Sequence, residues 1–273
     1  MTSESFKEFK RIIQGKKIEK MKRKKDWWHA IYRFISKYIT WIIVKTPITA
    51  NFITISGFII GLTGLLLIGI GNDVFIIIGF ILLYIYYLSD EVDGEVARYK
   101  NQTSLRGIYY DEIGHLFFQG WFFFTFGYSI FRIKQEFLYI FLGVIATFFL
   151  FGLRFIRKIA TLASVKSDAK KITEKAQESA EEKPRKKGFM RTIRSILLNL
   201  INGFSHTHMI TTLFFIGFLL YIFFDYLWIL ELIMIGYVVF MGIVFFSFMI
   251  IKSKSIERDV VEIHESLKFK AKN

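Results

Sequence analysis

The stretch VFIIIGFILLYIYYLSDEVDGEVARYKNQTSLRGIYYDEIGHLFFQGWFFFTFGYSIF, residues 74–131, decides the fold. A strongly apolar run enters a polar centre, and a second apolar run leaves it. The centre holds Asp90, Asp93, Asp111 and His115. Ionisable groups at membrane depth are expensive, so by default they mark a functional site. Asp90 and Asp93 stand i,i+3 on one helix, and Asp111 and His115 stand i,i+4 on the next. Two such helices side by side point all four groups into one cleft, which is how a bundle builds a divalent-metal site.

The rest of the chain agrees with a membrane protein. Hydrophobic residues make up 53% of the 273 residues and aromatics 18%, with 32 Phe, and there are only two prolines. Mean hydropathy is +0.40. The absence of cysteine excludes disulfides and thiolate metal sites. The first thirty residues are polar and basic, unlike a cleavable signal peptide. The expectation is an all-α, polytopic integral membrane protein.

Six spans are expected, each near the length of about twenty residues that a bilayer requires. They run over Phe52–Gly71, Val74–Arg98, Leu105–Phe131, Phe137–Ile159, Ser205–Phe224 and Leu227–Ile251. Before them, WWHAIYRFISKYITWIIV (Trp27–Val44) mixes aromatics with His29, Arg33 and Lys37. That composition predicts an amphipathic helix lying in the interface, aromatics at headgroup depth and cations snorkelling outward. The organisation is therefore a basic N-terminus over 1–50, a six-helix domain over 51–251 and a charged tail over 252–273. Within the domain, 164–200 is a charged loop that holds a surface helix at Phe189–Ile201.

The net charge of +14 belongs to topology rather than to nucleic acid. With six alternating spans, 35 of the 37 lysines and arginines fall on one side, leaving only Arg132 and Lys134 on the other. The positive-inside rule puts that side, both termini and the acidic cluster in the cytoplasm. The same cations attract anionic lipid headgroups.

Oxygen-rich ligands select hard cations such as Mg²⁺, Mn²⁺ or Ca²⁺. A cation there would bind a phosphorylated substrate and offset charge on a leaving phosphate. Gly94, Ala97 and Gly107 keep the facing helix surfaces thin, so a helix or a base approaches closely. Arg98 pairs with a carboxylate or grips a phosphate. Glu91 and Glu95 form an i,i+4 pair on another face, expected to be solvent-facing or paired with Arg98 or Lys100. Glu112 is expected at the periphery. His206 and His208, at i,i+2, point to different faces and read as interfacial residues.

These residues resemble the CDP-alcohol phosphotransferase (phosphatidyltransferase) family, whose motif is D-x-x-D-G-x-x-A-R, eight residues, then G-x-x-x-D-x-x-x-D. Asp90, Asp93, Gly94, Ala97, Arg98, Gly107 and Asp111 match it at the family's spacing. The resemblance implies a CDP-alcohol donor, an alcohol or lipid acceptor, and Mg²⁺ or Mn²⁺ on Asp90, Asp93 and Asp111. CMP leaves as the acceptor hydroxyl attacks the β-phosphorus, a step of phospholipid or related biosynthesis. A homodimer is implied as well. The last motif Asp is His115 here. A histidine with an unperturbed pKa of about 6.5 suits the role of base at neutral pH, and it also serves as a nitrogen ligand to the metal.

Other positions follow from the resemblance more loosely. Asn51 and Thr54, in TPITANFIT (46–54), are expected to contact the nucleotide or to cap the first span. Arg154 and Arg157 clamp an acceptor phosphate or anchor the fourth span. The alternative function is a non-catalytic nucleotide- or lipid-binding relative of the enzymes. A transporter would need polar groups near the bilayer midplane, whereas this cluster sits at one edge.

Overall fold

The computed structural model of the protein describes residues 6–24, 27–166 and 207–272. The helix expected at Phe189–Ile201 and His206 lie outside the described residues, as does most of the 164–200 loop. Among the described residues every regular element is an α-helix. These are α1 (Phe6–Lys24), α2 (Trp27–Ile43), α3 (Ala50–Ile70), α4 (Asp73–Tyr99), α5 (Leu105–Lys134), α6 (Leu138–Lys166), α7 (Thr207–Phe224) and α8 (Leu227–Lys272). The charged tail continues α8 without a break.

Four segments are long and apolar enough to cross a membrane: Ala50–Ile70, Asp73–Tyr99, Leu138–Ile156 and Leu227–Ser253. The apolar part of α7, His208–Phe224, is shorter. α5 is 30 residues long, but His115, Gln119, Thr125, Tyr128 and Ser129 dilute its apolar run. Gln119, Thr125 and Ser129 are buried, so these polar groups face neighbouring helices.

The helix ends are set by short polar side chains. Thr49 caps α3 by accepting from the Phe52 amide at 3.3 Å, and Ser104 caps α5 by accepting from Gly107 at 3.1 Å. Asn72 caps α4 through Val74 and Phe75. Gly71, at φ 76°, turns the chain between α3 and α4, a left-handed conformation that glycine adopts without steric cost. Further along that pair the backbones nearly touch. A Cβ on Gly79 would sit 2.6 Å from the Gly64 carbonyl, so α3 and α4 pack through bare surfaces.

The core around α4, α5 and α7 is aromatic. Phe80, Phe118, Phe122, Phe126, Phe214 and Phe218 are fully buried, and Phe126 meets Phe214 edge-on at 4.7 Å. This packing fixes α4 beside α5, so the ends of the two helices that carry the acidic cluster share one side of the bundle.

The N-terminal helices depart from the sequence expectation. α1 is docked: Phe9 and Ile13 pack into a second cluster with Val44, Ala50, Ile53, Val92 and Val96. α2 presents Ile31, Phe34, Ile35, Tyr38 and Ile42 outward and buries Ser36, Lys37 and Thr40. Arg33 therefore turns inward. Arg33 approaches Glu91 at 3.7 Å, and Lys37 lies over the Phe34 ring at 4.3 Å. The reason lies on α4, where Glu91 and Glu95 are buried rather than solvent-facing, and Glu95 pairs with neither Arg98 nor Lys100. A carboxylate removed from water needs donors, and α1 and α2 supply them. Gln14 Nε2 and Ser36 Oγ donate to Glu95 Oε1 at 2.5 and 2.8 Å, and Thr40 Oγ1 donates to Oε2 at 2.7 Å.

Candidate functional site

A cleft of about 410 Å³ opens where α3, α4 and α5 meet. α3 contributes Asn51 and Thr54. α4 contributes Asp90, Asp93, Gly94, Ala97 and Arg98, and α5 contributes Gly107, Asp111 and His115. All these sequence-selected residues line the same space, because i,i+3 and i,i+4 spacing keeps each set on one helix face.

Within the cleft, Asp90, Asp111 and His115 draw together. One ligand atom from each lies within 4.8 Å of the others. His115 Nε2 stands 3.8 Å from Asp90 Oδ2 and 3.3 Å from Asp111 Oδ1. Asp93 is not part of this triad. It accepts a 2.5 Å hydrogen bond from Thr54 Oγ1, which ties α3 to the cleft side of α4. Thr54 is thus neither the cap of α3, a role taken by Thr49, nor a free polar group. Asn51 lines the cleft and does not cap α3 either.

Two carboxylates and one imidazole form a mixed oxygen–nitrogen donor set. Such a set suits Mg²⁺ less exclusively than four carboxylates would and admits Mn²⁺ readily. Asp90, Asp111 and His115 are thus placed where they could hold a metal ion.

Arg98 closes one wall. Its Nε donates to the Ile13 carbonyl of α1 at 2.7 Å, and its Nη2 is buried with no hydrogen-bond partner among the described residues. A Cβ on Gly94 would lie 3.3 Å from Nη1, so the guanidinium rests across the bare turn that glycine leaves. Lys100 holds the far end by donating to the Thr46 and Ile48 carbonyls at 2.8 and 2.7 Å.

Other sequence-selected residues sit elsewhere. Arg154 is engaged by Gln119 on α5 and does not line the cleft. The Arg157 side chain lies outside the described residues. Glu112 is peripheral as expected, half-exposed and paired with Lys158 at 2.8 Å. His208 is buried against Tyr32 and Tyr87 and lines the cleft. Arg33 and Glu91 line it as well. Nothing in their local spacing reveals this, because they meet the cleft only through packing between α2, α4 and α7.

Fold and site together define an integral membrane protein with an ionisable cleft at one end of a helical bundle. Residues 47–244 match the sequence profile of CDP-alcohol phosphatidyltransferases, and the chain belongs to that family of membrane transferases of phospholipid synthesis. No individual curated protein matches it.

Proposed function

We propose that this chain transfers a substituted phosphate from a CDP-alcohol to the hydroxyl of an acceptor alcohol, releasing CMP. The observation that carries the reading is the meeting of Asp90, Asp111 and His115 in one cleft walled by Gly94, Ala97 and Gly107. Asp90 and Asp111, with His115 beside them, would hold Mg²⁺ or Mn²⁺. Such an ion, when bound, would offset the negative charge that develops on the leaving phosphate.

The chain's own groups do the rest. Asp93, fixed by Thr54, gives the cleft a further negative edge on the ion side. Arg98 offers its Nη edge to a phosphate oxygen. The bare surfaces at Gly94, Ala97 and Gly107 admit the nucleotide. As the acceptor oxygen bonds to the β-phosphorus, the phosphorus–oxygen bond to CMP breaks and the acceptor proton passes to the His115 imidazole. Asp90 and Asp111 face that ring, and a dication held on them would keep the imidazole neutral and so able to take the proton.

In this reading α5 and α7 join the four apolar helices to make six spans. α2 lies in the interface with its outward apolar face in lipid. The cleft and both termini face the cytoplasm and its anionic lipid, and the family resemblance carries a homodimer. Arg154, held by Gln119, is assigned to the acceptor side.

The test is CMP release from a panel of CDP-alcohols by the purified protein in lipid, with and without divalent ion. Ion-dependent release with at least one donor is expected. His115, in place of the motif's last carboxylate, favours one competing reading, a non-catalytic relative that binds the nucleotide. Ion-dependent CMP binding with no release from any donor would select it.

A further inference from the structure

We propose that Ile13 and Gln14 of α1 are positioning residues of the donor pocket and act through Arg98. The inference rests on the cleft being a nucleotide site, and it assigns a role to a helix that lies outside the matched residues 47–244.

Arg98 has a planar fork, so fixing Nε also fixes where both Nη atoms point. Nε is taken by the Ile13 carbonyl at 2.7 Å. Nη1 crosses the bare surface at Gly94 on the cleft wall, and Nη2 is buried with no partner among the described residues. The donor pocket's guanidinium is thus aimed by a backbone atom of another helix. That atom stays in place only while α1 stays docked. α1 is rich in lysine, and it anchors by Phe9, Ile13 and Gln14, all nearly inaccessible to solvent. Gln14 Nε2 spans two elements, donating to Glu95 Oε1 on α4 at 2.5 Å and to the Arg33 carbonyl on α2 at 2.9 Å. Glu95 is fully buried and lies one helical turn before Arg98. Two consecutive residues of α1 therefore read two positions of α4, Glu95 and Arg98, from the side opposite the ion ligands.

A purely structural staple would also use these bonds, so the test separates the two roles. The full chain in detergent is titrated with CMP in the presence of Mn²⁺, and Mn²⁺ binding is followed separately by electron paramagnetic resonance. Gln14→Leu is expected to weaken CMP about tenfold, the scale of one hydrogen bond to a charged group. Mn²⁺ affinity should stay within about twofold, because the ion ligands lie on the other face of α4. Arg98→Lys, which keeps the charge and loses the fork, should weaken CMP at least as much. The double variant should bind CMP no more weakly than Arg98→Lys alone. Ser36→Ala removes a different donor to Glu95 and should leave CMP affinity within about twofold. Where Gln14→Leu does not fold, Gln14→Asn keeps the amide, shortens its reach and should show the same pattern.

Unchanged CMP affinity in the Gln14 variants would overturn the proposal. So would losses that add to that of Arg98→Lys, an equal loss in Ser36→Ala, or a parallel loss of Mn²⁺. A parent protein that binds Mn²⁺ but no CMP would overturn the nucleotide reading itself, and this inference with it.

Discussion

The α4 segment Asp90–Arg98 carries two carboxylate pairs with opposite surroundings. Glu95 faces the N-terminal helices, and Glu91, beside Arg33 of α2, also borders the cleft. Glu95 is saturated by three donors from Gln14, Ser36 and Thr40, and Arg33 stands beside Glu91. Asp90 and Asp93 face the cleft. There Asp90 meets a second carboxylate and an imidazole, an arrangement that concentrates negative charge. A buried carboxylate supplied with donors holds helices together. A carboxylate set against another carboxylate costs stability, so it is a place to look for a ligand that removes the cost. The same residue chemistry, half a helical turn apart, separates scaffold from site.

The largest effect that sharpens this contrast is expected on the cleft side. Asp111→Asn should abolish ion-dependent CMP release, measured as nucleotide product from a CDP-alcohol donor, while the protein remains folded. His115→Ala should cut turnover at least about a hundredfold, the scale of a positioned base, with ion-dependent CMP binding largely retained. Loss of ion binding in that variant would make the imidazole a ligand instead.

On the scaffold side the readout changes from activity to stability. Glu95→Gln should destabilise the protein by about 2 kcal/mol, since charge-assisted hydrogen bonds weaken and one donor is left facing an amide NH₂. Thermal unfolding in detergent reads this shift. Asp90→Asn should leave unfolding unchanged or raise its temperature, because it relieves the facing carboxylates. A destabilised Asp90→Asn beside an unaffected Glu95→Gln would reverse the comparison. The smallest effect is expected from Lys158→Met, which breaks an exposed pair with Glu112 worth less than about 1 kcal/mol.

Much of the cleft was legible because its chemistry is local. Asp90 and Asp93 share a helix face by spacing, as do Asp111 and His115, and the apolar runs around them dictate adjacent helices. The boundaries of α3, α4, α5 and α7 fall within a few residues of expectation for the same reason, since caps such as Thr49, Asn72 and Ser104 are short-range signals. The roles of Glu91 and Glu95 were not legible. The partners of Glu95 lie 55 to 81 residues away in sequence, on helices whose composition has its own explanation in cations and lipid-facing aromatics. α1 was hidden because a lysine-rich segment gives little periodic signal, and its docking uses a few residues such as Phe6, Phe9, Ile13 and Gln14. Asp93 stands outside the Asp90–Asp111–His115 group and accepts from Thr54 on another helix, a contact that local spacing does not reveal. The inward turn of Arg33 was not legible because its guanidinium had two destinations, water or a buried carboxylate, and only the tertiary structure chooses between them.

Mn²⁺ binding followed by electron paramagnetic resonance, compared between Asp111→Asn and Glu95→Gln, tests the division of α4 and its neighbour into site and scaffold most directly. The account predicts that Glu95→Gln binds the ion as the parent does and that Asp111→Asn does not. Equal binding by both variants, or equal loss in both, would contradict it.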